Sequence, residues 1–283
     1  MTATMKVTPA LLRKWPLPDP QQSESKEDRG RVLIMGGTRR TPGAVSLAAI
    51  AALRSGAGKL QVACGEDVAL ALAVALPEAM VIGLKVDPSG NVTGCSDEVL
   101  DAARQTDALL VGPGMDDSAR TRRVAAKLVG VSTATVVLDA GALHAHGAKS
   151  AARLVLTPHL GEMAALTGET TQRLSRDLSG VAHDFALAEQ VTLVLKGPVT
   201  CIAAADGRVW LHNGGSVGLG TSGSGDVLAG VIAGLVARGA SPEQAAVWGV
   251  WLHGKAGQAL SRKQGLVGFL AREIPGEIPG LLR

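Results

Sequence analysis

From residue 31 onward, short runs of valine, isoleucine and leucine alternate with longer segments rich in alanine and leucine. This alternation is typical of βαβ units, which build a mainly parallel central sheet with helices on both faces. Strands are predicted over residues 32–35, 59–63, 80–84, 108–111, 135–138, 154–156 and 192–195. Helices are predicted over residues 45–54, 97–104, 119–129 and 162–166. The fold class is therefore α/β, with right-handed crossovers between the parallel strands.

The pattern changes late in the chain. Residues 199–203 and 208–212 flank Asp206-Gly207, a dipeptide that favours a tight hairpin, so a late antiparallel pair is expected. A stretch rich in glycine and serine then leads into an apolar helix at 227–237. Ser241, followed by a proline, has the pattern of a helix N-cap. Two helices are therefore expected to close the fold.

The length of 283 residues suits one domain, which we place at residues 31–270. Residues 1–30 contain three closely spaced prolines and a polar run, so we expect a poorly ordered N-terminal segment. The glycine- and proline-rich residues 271–283 are expected to form a C-terminal tail.

Charge and hydropathy narrow the class of function. The net charge of +3 disfavours nucleic acid or an anionic membrane as a partner. With 46% apolar and 19% charged residues the chain should fold, and its longest apolar run, residues 68–76, is far shorter than the ~20 residues that span a bilayer. This composition favours an enzyme that acts on small molecules.

The cysteines and histidines predict neither disulfides nor a metal site. Cys64, Cys95 and Cys201 lie far apart and are odd in number, which fits a reducing cytoplasm. The first thirty residues lack the apolar core of a secretory signal, which again indicates the cytoplasm. His144 and His146 form a His-x-His pair without a third ligand at suitable spacing, so no metal ligand is assigned.

Residues 218–226 are the most informative stretch for chemistry, since they combine four glycines and three hydroxyl residues with Asp226 at the start of a helix. Gly223, Ser224 and Gly225 let the backbone approach a ligand, and the N–H groups of the first helical turn carry roughly +0.5 charge. This predicts an anion hole. The alternative is a flexible loop capped by the aspartate.

The dinucleotide-binding motif and the P-loop are two other nucleotide-binding motifs, and neither fits the chain as well as an anion hole for phosphoryl transfer. Residues 218–223 match G-x-G-x-x-G, but the acid about 20 residues further on, Glu243, lies in a helix and not at a strand end. Neither Gly-Lys pair of the chain continues with Ser or Thr, as a P-loop requires. Phosphoryl transfer fits better, because Asp226 could accept a hydroxyl proton while the N–H groups stabilise the transferred phosphoryl.

Seven short motifs occur in order along the chain. They are Gly30-Arg31-Val32-Leu33-Ile34-Met35-Gly36-Gly37, Pro42-Gly43-Ala44, Leu53-Arg54-Ser55-Gly56-Ala57-Gly58, Val111-Gly112-Pro113-Gly114, Leu156-Thr157-Pro158-His159 with Gly161-Glu162, Leu195-Lys196-Gly197 and Gly223-Ser224-Gly225-Asp226-Val227-Leu228-Ala229-Gly230. In this order and spacing they resemble the NAD(P)H-hydrate dehydratases, a ribokinase-like family, over about residues 30 to 260.

The resemblance implies a ribokinase-like fold and a repair reaction on hydrated nicotinamide cofactors. The (6S) form of NADHX or NADPHX would be phosphorylated on its C6 hydroxyl by ADP or ATP with Mg²⁺, and phosphate would then leave, pushed by the ring-nitrogen lone pair. It also implies a homo-oligomer, with tetramers common in the family. The epimerase that is often fused to these enzymes has no counterpart before Gly30, so one epimer is expected to be repaired.

The resemblance also implies roles for particular residues, with Asp226 as the catalytic base. The hydrate would contact Ala44, Gly114, His159 and Asp226. The adenine nucleotide would contact Lys196, Gly197, Pro198, Val199, Thr200 and Gly225. From the residues alone, His159 could instead be a helix-cap histidine, and Lys196 could be a solvated surface lysine.

This chain departs from the family pattern at three positions. Gly141 stands where the family usually has the second acid of an Asp-Ala-Asp pattern, Thr41 replaces an aromatic residue, and Asp116 replaces a glycine. Two other functions stay open beside the dehydratase. One is a kinase of the same fold for a vitamin precursor, of the hydroxymethylpyrimidine or hydroxyethylthiazole type. The other is an oligomer that senses adenine nucleotides without turnover.

Overall fold

Ten strands form one sheet within residues 4–22 and 24–282, the part of the chain that this computed structural model describes. They are β1 (Thr4–Lys6), β2 (Arg31–Met35), β3 (Lys59–Gly65), β4 (Ala79–Leu84), β5 (Ala108–Val111), β6 (Thr135–Leu138), β7 (Arg153–Leu156), β8 (Thr192–Leu195), β9 (Thr200–Ala203) and β10 (Val209–His212). Their order across the sheet is β1-β10-β9-β8-β7-β6-β5-β2-β3-β4. The pairs β8–β9 and β9–β10 are antiparallel, and all other pairs are parallel.

Helices cover the sheet and connect its strands. They are α1 (Pro9–Lys14), α2 (Pro42–Arg54), α3 (Glu66–Ala75), α4 (Asp97–Gln105), α5 (Ala119–Val131), α6 (Leu160–Thr167), α7 (Thr171–Arg176), α8 (Leu178–Glu189), α9 (Ser224–Ala237), α10 (Pro242–Gln264) and α11 (Ile274–Leu281). No helix in the described ranges is long and apolar enough to cross a membrane.

The α/β class, the mainly parallel sheet and the late antiparallel pair are confirmed. The predicted strands match β2–β10 to within two residues at each end, and Ser241 caps α10 by accepting from the Gln244 N–H. Helices α3, α7 and α8 were not predicted from the sequence. Helix α3 coincides with an apolar run that has no helical periodicity, and Leu70 and Val74 on this helix are exposed.

Within the N-terminal segment that we expected to be poorly ordered, residues 4–22 differ from the expectation, because they include strand β1 and helix α1. Strand β1 pairs with β10, which places Met5 opposite Trp210. Trp15 stacks on Trp210 with ring centroids 5.8 Å apart, and the Trp248 indole N–H donates to the Trp15 carbonyl at 2.8 Å. These contacts join residues about two hundred positions apart in the chain, so no local pattern could have indicated them.

The C-terminal tail also differs from the expectation. Residues 271–273 form a 3₁₀ turn and α11 follows it. The side chains of Ile274 and Ile278 are buried against the core, although Pro279 lies inside the helix. Spacing of four residues places both isoleucines on one helix face, and this apolar face explains why the segment packs.

Helix α9 is the central helix of the fold. All of its residues except Gly225 and Asp226 are buried, and it packs directly against α2. The contact depends on two glycines, since a Cβ added at Gly230 would lie 2.2 Å from the Ala48 carbonyl oxygen and one at Gly234 would lie 2.4 Å from that of Ala52. The buried body of the helix holds its first turn in place at the edge of the sheet.

We expect Gly230→Ala to lower the free energy of unfolding by about 1–3 kcal/mol, because the added methyl group forces α2 and α9 apart. The matched control is Gly276→Ala in α11, where a Cβ would meet nothing within 4 Å and alanine favours the helix by about 1 kcal/mol. Urea unfolding of the two variants measures the difference. Equal stabilities would contradict the close-packing argument.

Candidate active site

The candidate site lies where five neighbouring parallel strands end. Strands β8, β7, β6, β5 and β2 are adjacent in that order, and because they are parallel their carboxyl ends meet at one edge of the sheet. Ligands of open α/β sheets bind in the crevice outside this edge. Residues after these five strands, together with the first turn of α9, supply the groups described below.

The first turn of α9 has the geometry of an anion hole. Gly223 adopts φ +89°, a left-handed conformation that favours glycine and turns the chain into the helix. The Ser224 N–H bonds to the Thr221 carbonyl, whereas the N–H groups of Gly225 and Asp226 lie in the first turn, where a helix offers them no carbonyl acceptor. These two N–H groups and the helix dipole can therefore stabilise an anion.

Lys196 lies beside this turn. A Cβ added at Gly225 would be 3.3 Å from the Lys196 ammonium nitrogen, so a side chain at residue 225 would crowd the lysine. The ammonium group is 3.0 Å from Asp139 Oδ1 and 3.9 Å from Glu162 Oε2. Burial acts to lower the pKa of Lys196, but the charges of Asp139 and Glu162 outweigh it and the pKa is raised. Lys196 is a partly buried, paired cation and not a solvated surface lysine.

Asp139 is the main partner of this lysine, and the sequence analysis did not include it among the site residues. Its side chain is 3% exposed in the folded chain and accepts from Thr157 Oγ1 at 2.7 Å as well as from Lys196. It directly follows β6, and Ala140 after it has φ 47°. An aspartate at the carboxyl end of a parallel strand is the signal that could have identified it.

Asp226 is a carboxylate with a raised proton affinity. Burial raises its pKa to about 6, the negative charge of Asp139 acts in the same direction, and the charge of Lys196 acts against both. Near neutral pH the group is therefore ionised but is a stronger base than an exposed aspartate. This is the property that a general base for a hydroxyl group needs.

His159 has the capping geometry that the residues alone allowed. Its Nδ1 accepts from the backbone N–H groups of Gly161 at 3.0 Å and Glu162 at 3.1 Å. In return, the Glu162 carboxylate accepts from the backbone N–H of His159 at 2.7 Å. Because Nδ1 accepts, a neutral ring carries its proton on Nε2. The side chain is 60% exposed, and its Nε2–H therefore remains available to a ligand.

Ala44 and Gly114 lie next to each other. A Cβ added at Gly114, which has φ +70°, would lie 2.9 Å from Ala44 Cβ and 2.5 Å from the Thr41 carbonyl oxygen. Thr41 does not cap α2 with its side chain, because its hydroxyl donates to the Gly114 carbonyl at 2.7 Å. The threonine that departs from the family pattern therefore ties these two loops together.

The other two departures from the family pattern also lie in contact. A Cβ added at Gly141 would lie 2.1 Å from the Asp116 carbonyl oxygen, so the backbone around Asp116 leaves no room for a side chain at residue 141. The Asp116 carboxylate accepts from Thr121 Oγ1 at 3.2 Å and does not occupy the position of a second acid beside Asp139.

A cleft of about 750 Å³ opens beside Lys196 and the first turn of α9. Of the residues expected to bind substrate or nucleotide, it is lined by His159, Lys196, Gly197, Pro198, Thr200, Ser224 and Gly225. Val199 is 40% exposed and is not among the lining residues. The lining also excludes Ala44, Gly114, Gly223 and Asp226. The expected residues therefore divide into those that line the cleft and those that do not.

Two histidines that the sequence analysis did not select as site residues form part of the cleft wall. His212 at the end of β10 and His253 in α10 are both buried, and burial lowers the pKa of each to about 4. Both rings are therefore neutral at pH 7. Only the fold shows this, since β10 and α10 are far apart in the sequence.

We expect Asp226→Asn to be more stable than the natural chain at pH 8 and nearly equal to it at pH 4. A folded-state pKa above the unfolded value means that ionisation of Asp226 opposes folding, so its cost develops as pH rises through about 4 to 6. The difference should reach about 2 kcal/mol above pH 7. Urea unfolding from pH 4 to 8 measures it, and a difference independent of pH would contradict the raised pKa.

Comparisons with known proteins agree with this geometry. The profile of the NAD(P)H-hydrate dehydratase family matches residues 32–280. An ADP-dependent (S)-NAD(P)H-hydrate dehydratase from Xanthomonas campestris is 48% identical over 98% of this chain and 95% of its own length. A bifunctional NAD(P)H-hydrate repair enzyme from Moorella thermoacetica is 37% identical over 94% of this chain, which spans about half of that longer protein.

Solved structures give the same result. The ADP/ATP-dependent NAD(P)H-hydrate dehydratase of Bacillus subtilis, co-crystallised with ATP and Mg²⁺, superposes with a TM-score of 0.86 at 28% identity and covers 99% of this chain and 98% of that one. A ribokinase from Arabidopsis thaliana, with a TM-score of 0.59 and 14% identity over 90% of this chain and 99% of its own, shares the fold alone. The fold is therefore ribokinase-like, and the chain belongs to the NAD(P)H-hydrate dehydratase family.

Proposed function

We propose that this protein repairs hydrated nicotinamide cofactors by dehydrating (6S)-NADHX or NADPHX to NADH or NADPH at the expense of ADP or ATP. The observation that carries the proposal is the Lys196–Asp139 pair set against the first turn of α9, with Asp226 beside it. A partly buried cation, the N–H groups of the first helical turn and a basic carboxylate are together the parts that phosphoryl transfer requires. The 48% identity to an ADP-dependent dehydratase supports this substrate class.

In the first step Asp226 accepts the proton of the C6 hydroxyl as its oxygen attacks the terminal phosphoryl group. The bond to the nucleotide breaks, which releases AMP from ADP or ADP from ATP. The N–H groups of Gly225 and Asp226 and the Lys196 ammonium group stabilise the charge on the transferred phosphoryl. The raised pKa of Asp226 lets it hold this proton more readily than an ordinary aspartate would.

In the second step the phosphate leaves from C6, pushed by the lone pair of the ring nitrogen. Loss of the C5 proton then restores the double bond of the dihydronicotinamide ring. The driving force lies in the substrate, so the protein has only to hold the ring in place. We assign this task to Ala44 and Gly114, whose close approach forms a small-residue surface, and to the exposed Nε2–H of His159.

The nucleotide is assigned to the cleft of about 750 Å³. Lys196, Gly197, Pro198 and Thr200 line it after β8, and Gly225 lies directly against the Lys196 ammonium group. A cleft of this volume accommodates a nucleotide. The position of Lys196 at the inner end of this segment places its charge where the terminal phosphate would meet the first turn of α9.

Magnesium fits the site as part of a nucleotide complex. Among the described residues no three His, Cys, Asp or Glu side chains converge to hold a metal. Mg²⁺ usually keeps several waters and binds one or two carboxylates together with phosphate oxygens. Asp226 and Glu162 are the carboxylates beside Lys196 that could contribute, and the ion would neutralise charge on the phosphates.

Two further properties are part of the proposal. Cys64, Cys95 and Cys201 are all free thiols, which supports a reducing cytoplasmic location. Assembly as a homotetramer follows from family habit. Light scattering of the purified protein tests the assembly state, with a monomer contradicting the tetramer.

The decisive assay is absorbance at 340 nm, where reduced nicotinamide absorbs and its hydrate does not. We expect added protein to raise the absorbance of NADHX solutions with Mg²⁺ and ADP or ATP, and Asp226→Asn to lower the rate at least 100-fold because the general base is lost. The control is Asp97→Asn, which makes the same change in the first turn of the remote helix α4. No rise with either nucleotide would contradict the dehydratase and direct the assay to vitamin-precursor alcohols.

The alternative function, an oligomer that senses adenine nucleotides, predicts a different result. A sensor without turnover would show nucleotide binding and no rise for the natural chain under any condition. For the enzyme, Asp226→Asn should retain nucleotide binding while losing turnover, since the removed carboxylate serves the hydroxyl and not the adenine nucleotide. Turnover of NADHX by the natural chain separates the two functions, and calorimetry with ADP checks that Asp226→Asn still binds the nucleotide.

We expect the rate to fall about tenfold per pH unit below pH 6, because a protonated Asp226 cannot accept a proton. Asp139→Asn should move this acidic limb to lower pH, since the like charge that raises the pKa of Asp226 is removed. A kcat profile from pH 4.5 to 8 at saturating nucleotide measures both. An unmoved limb in Asp139→Asn would show that a different group is titrating.

A further inference from the structure

A buried contact between α10 and the first turn of α9 has no role in the function proposed so far. His253 Nε2 lies 3.0 Å from Ser224 Oγ and 3.1 Å from the Ser224 carbonyl oxygen. Both residues are more than nine-tenths buried, and both line the cleft. Ser224 precedes Gly225, whose N–H belongs to the anion hole, so this histidine contacts the residue next to the anion hole.

The two distances determine which nitrogen of His253 carries the proton. A carbonyl oxygen can only accept a hydrogen bond, so the nitrogen that faces it at 3.1 Å must be a donor. The ring is neutral at pH 7, because burial lowers its pKa to about 4 and the charge of Lys196 acts in the same direction. A neutral ring has one N–H, and here it lies on Nε2.

This tautomer also determines the direction of the serine hydroxyl. The single N–H of Nε2 is shared between the Ser224 carbonyl oxygen and Oγ, so Oγ acts as an acceptor toward the histidine. The hydroxyl proton is then left to donate elsewhere. With the opposite tautomer, the hydroxyl would donate to Nε2, and two lone pairs would face each other across the 3.1 Å contact to the carbonyl.

We propose that His253 is a positioning residue that holds the Ser224 hydroxyl as a third donor of the anion hole, aimed at the phosphoryl group that the nucleotide transfers. The ligand class is the terminal phosphate of an adenine nucleotide, so the inference rests on the proposed function. Ser224 follows a left-handed Gly223, starts the helix and is one of the residues that line the cleft. A hydrogen bond to a charged phosphate is about twice as strong as one between neutral groups.

The tautomer can be measured without turnover or ligand. Nitrogen-15 NMR of histidine-labelled protein at pH 7 should show the His253 proton on Nε2, with His253→Gln used to assign the signal. A proton on Nδ1 would overturn the proposal, because the serine hydroxyl would then be committed to the histidine.

The ligand can be tested by the affinity difference between ADP and AMP, since AMP lacks the phosphoryl group that is transferred. Ser224→Ala and His253→Leu should each weaken ADP binding about tenfold in calorimetry and leave AMP binding within twofold. If His253 acts through the serine hydroxyl, the double variant should bind ADP no more weakly than Ser224→Ala alone. Additive losses, or equal losses for ADP and AMP, would overturn the proposal.

Matched variants separate positioning from folding. His253→Gln keeps an N–H donor near the position of Nε2 and should restore ADP binding to within threefold, whereas His183→Leu on the remote helix α8 should change neither ligand. A His253→Gln variant that folds but binds ADP as weakly as the His253→Leu variant would also contradict the proposal. Failure of the dehydratase itself would appear as absent turnover of NADHX by the natural chain, which none of these binding measurements uses.

Discussion

The close packing of α9 against α2 and the sheet is the constraint on which the site depends. Glycines at 230 and 234 let the two helix backbones approach, and nearly every residue of α9 is buried. A helix held this firmly along its length presents its first turn in one position. The N–H groups of Gly225 and Asp226 are therefore preorganised before any ligand arrives, which is the condition for strong electrostatic stabilisation of a transferred phosphoryl group.

The charged groups at the site all act on one lysine. Lys196 is surrounded by Asp139, Glu162 and Asp226, so a single partly buried cation faces three acids. Asp139 is fully used as the partner of Lys196 and Thr157, and Asp226 is left with a raised pKa. A nucleotide phosphate would compete with these acids for Lys196. The arrangement thus couples the position of the phosphate to the proton affinity of the base through one side chain.

Much of the fold could be predicted because local patterns report local structure. The strands from β2 to β10 follow from β-branched runs, and the hairpin between β9 and β10 follows from its Asp-Gly turn. Strand β1 could not be predicted, since it is stabilised by pairing with β10 and by aromatic stacking on Trp210. The environments of Gly141 and Asp116 could not be predicted from the sequence either, because their contact depends on how two separate loops meet.

The amino-acid sequence determined the α/β class, the glycine-rich start of α9 and Asp226 as the acid beside it, because these properties reside in neighbouring residues. The tertiary structure determined that Lys196 forms an ion pair with Asp139, that His159 caps a helix, and that His253 contacts Ser224 in the first turn of α9. Each of these depends on side chains from different strands and helices. Their distances, burial and mutual charge exist only after parallel strands have brought their carboxyl ends to one edge of the sheet.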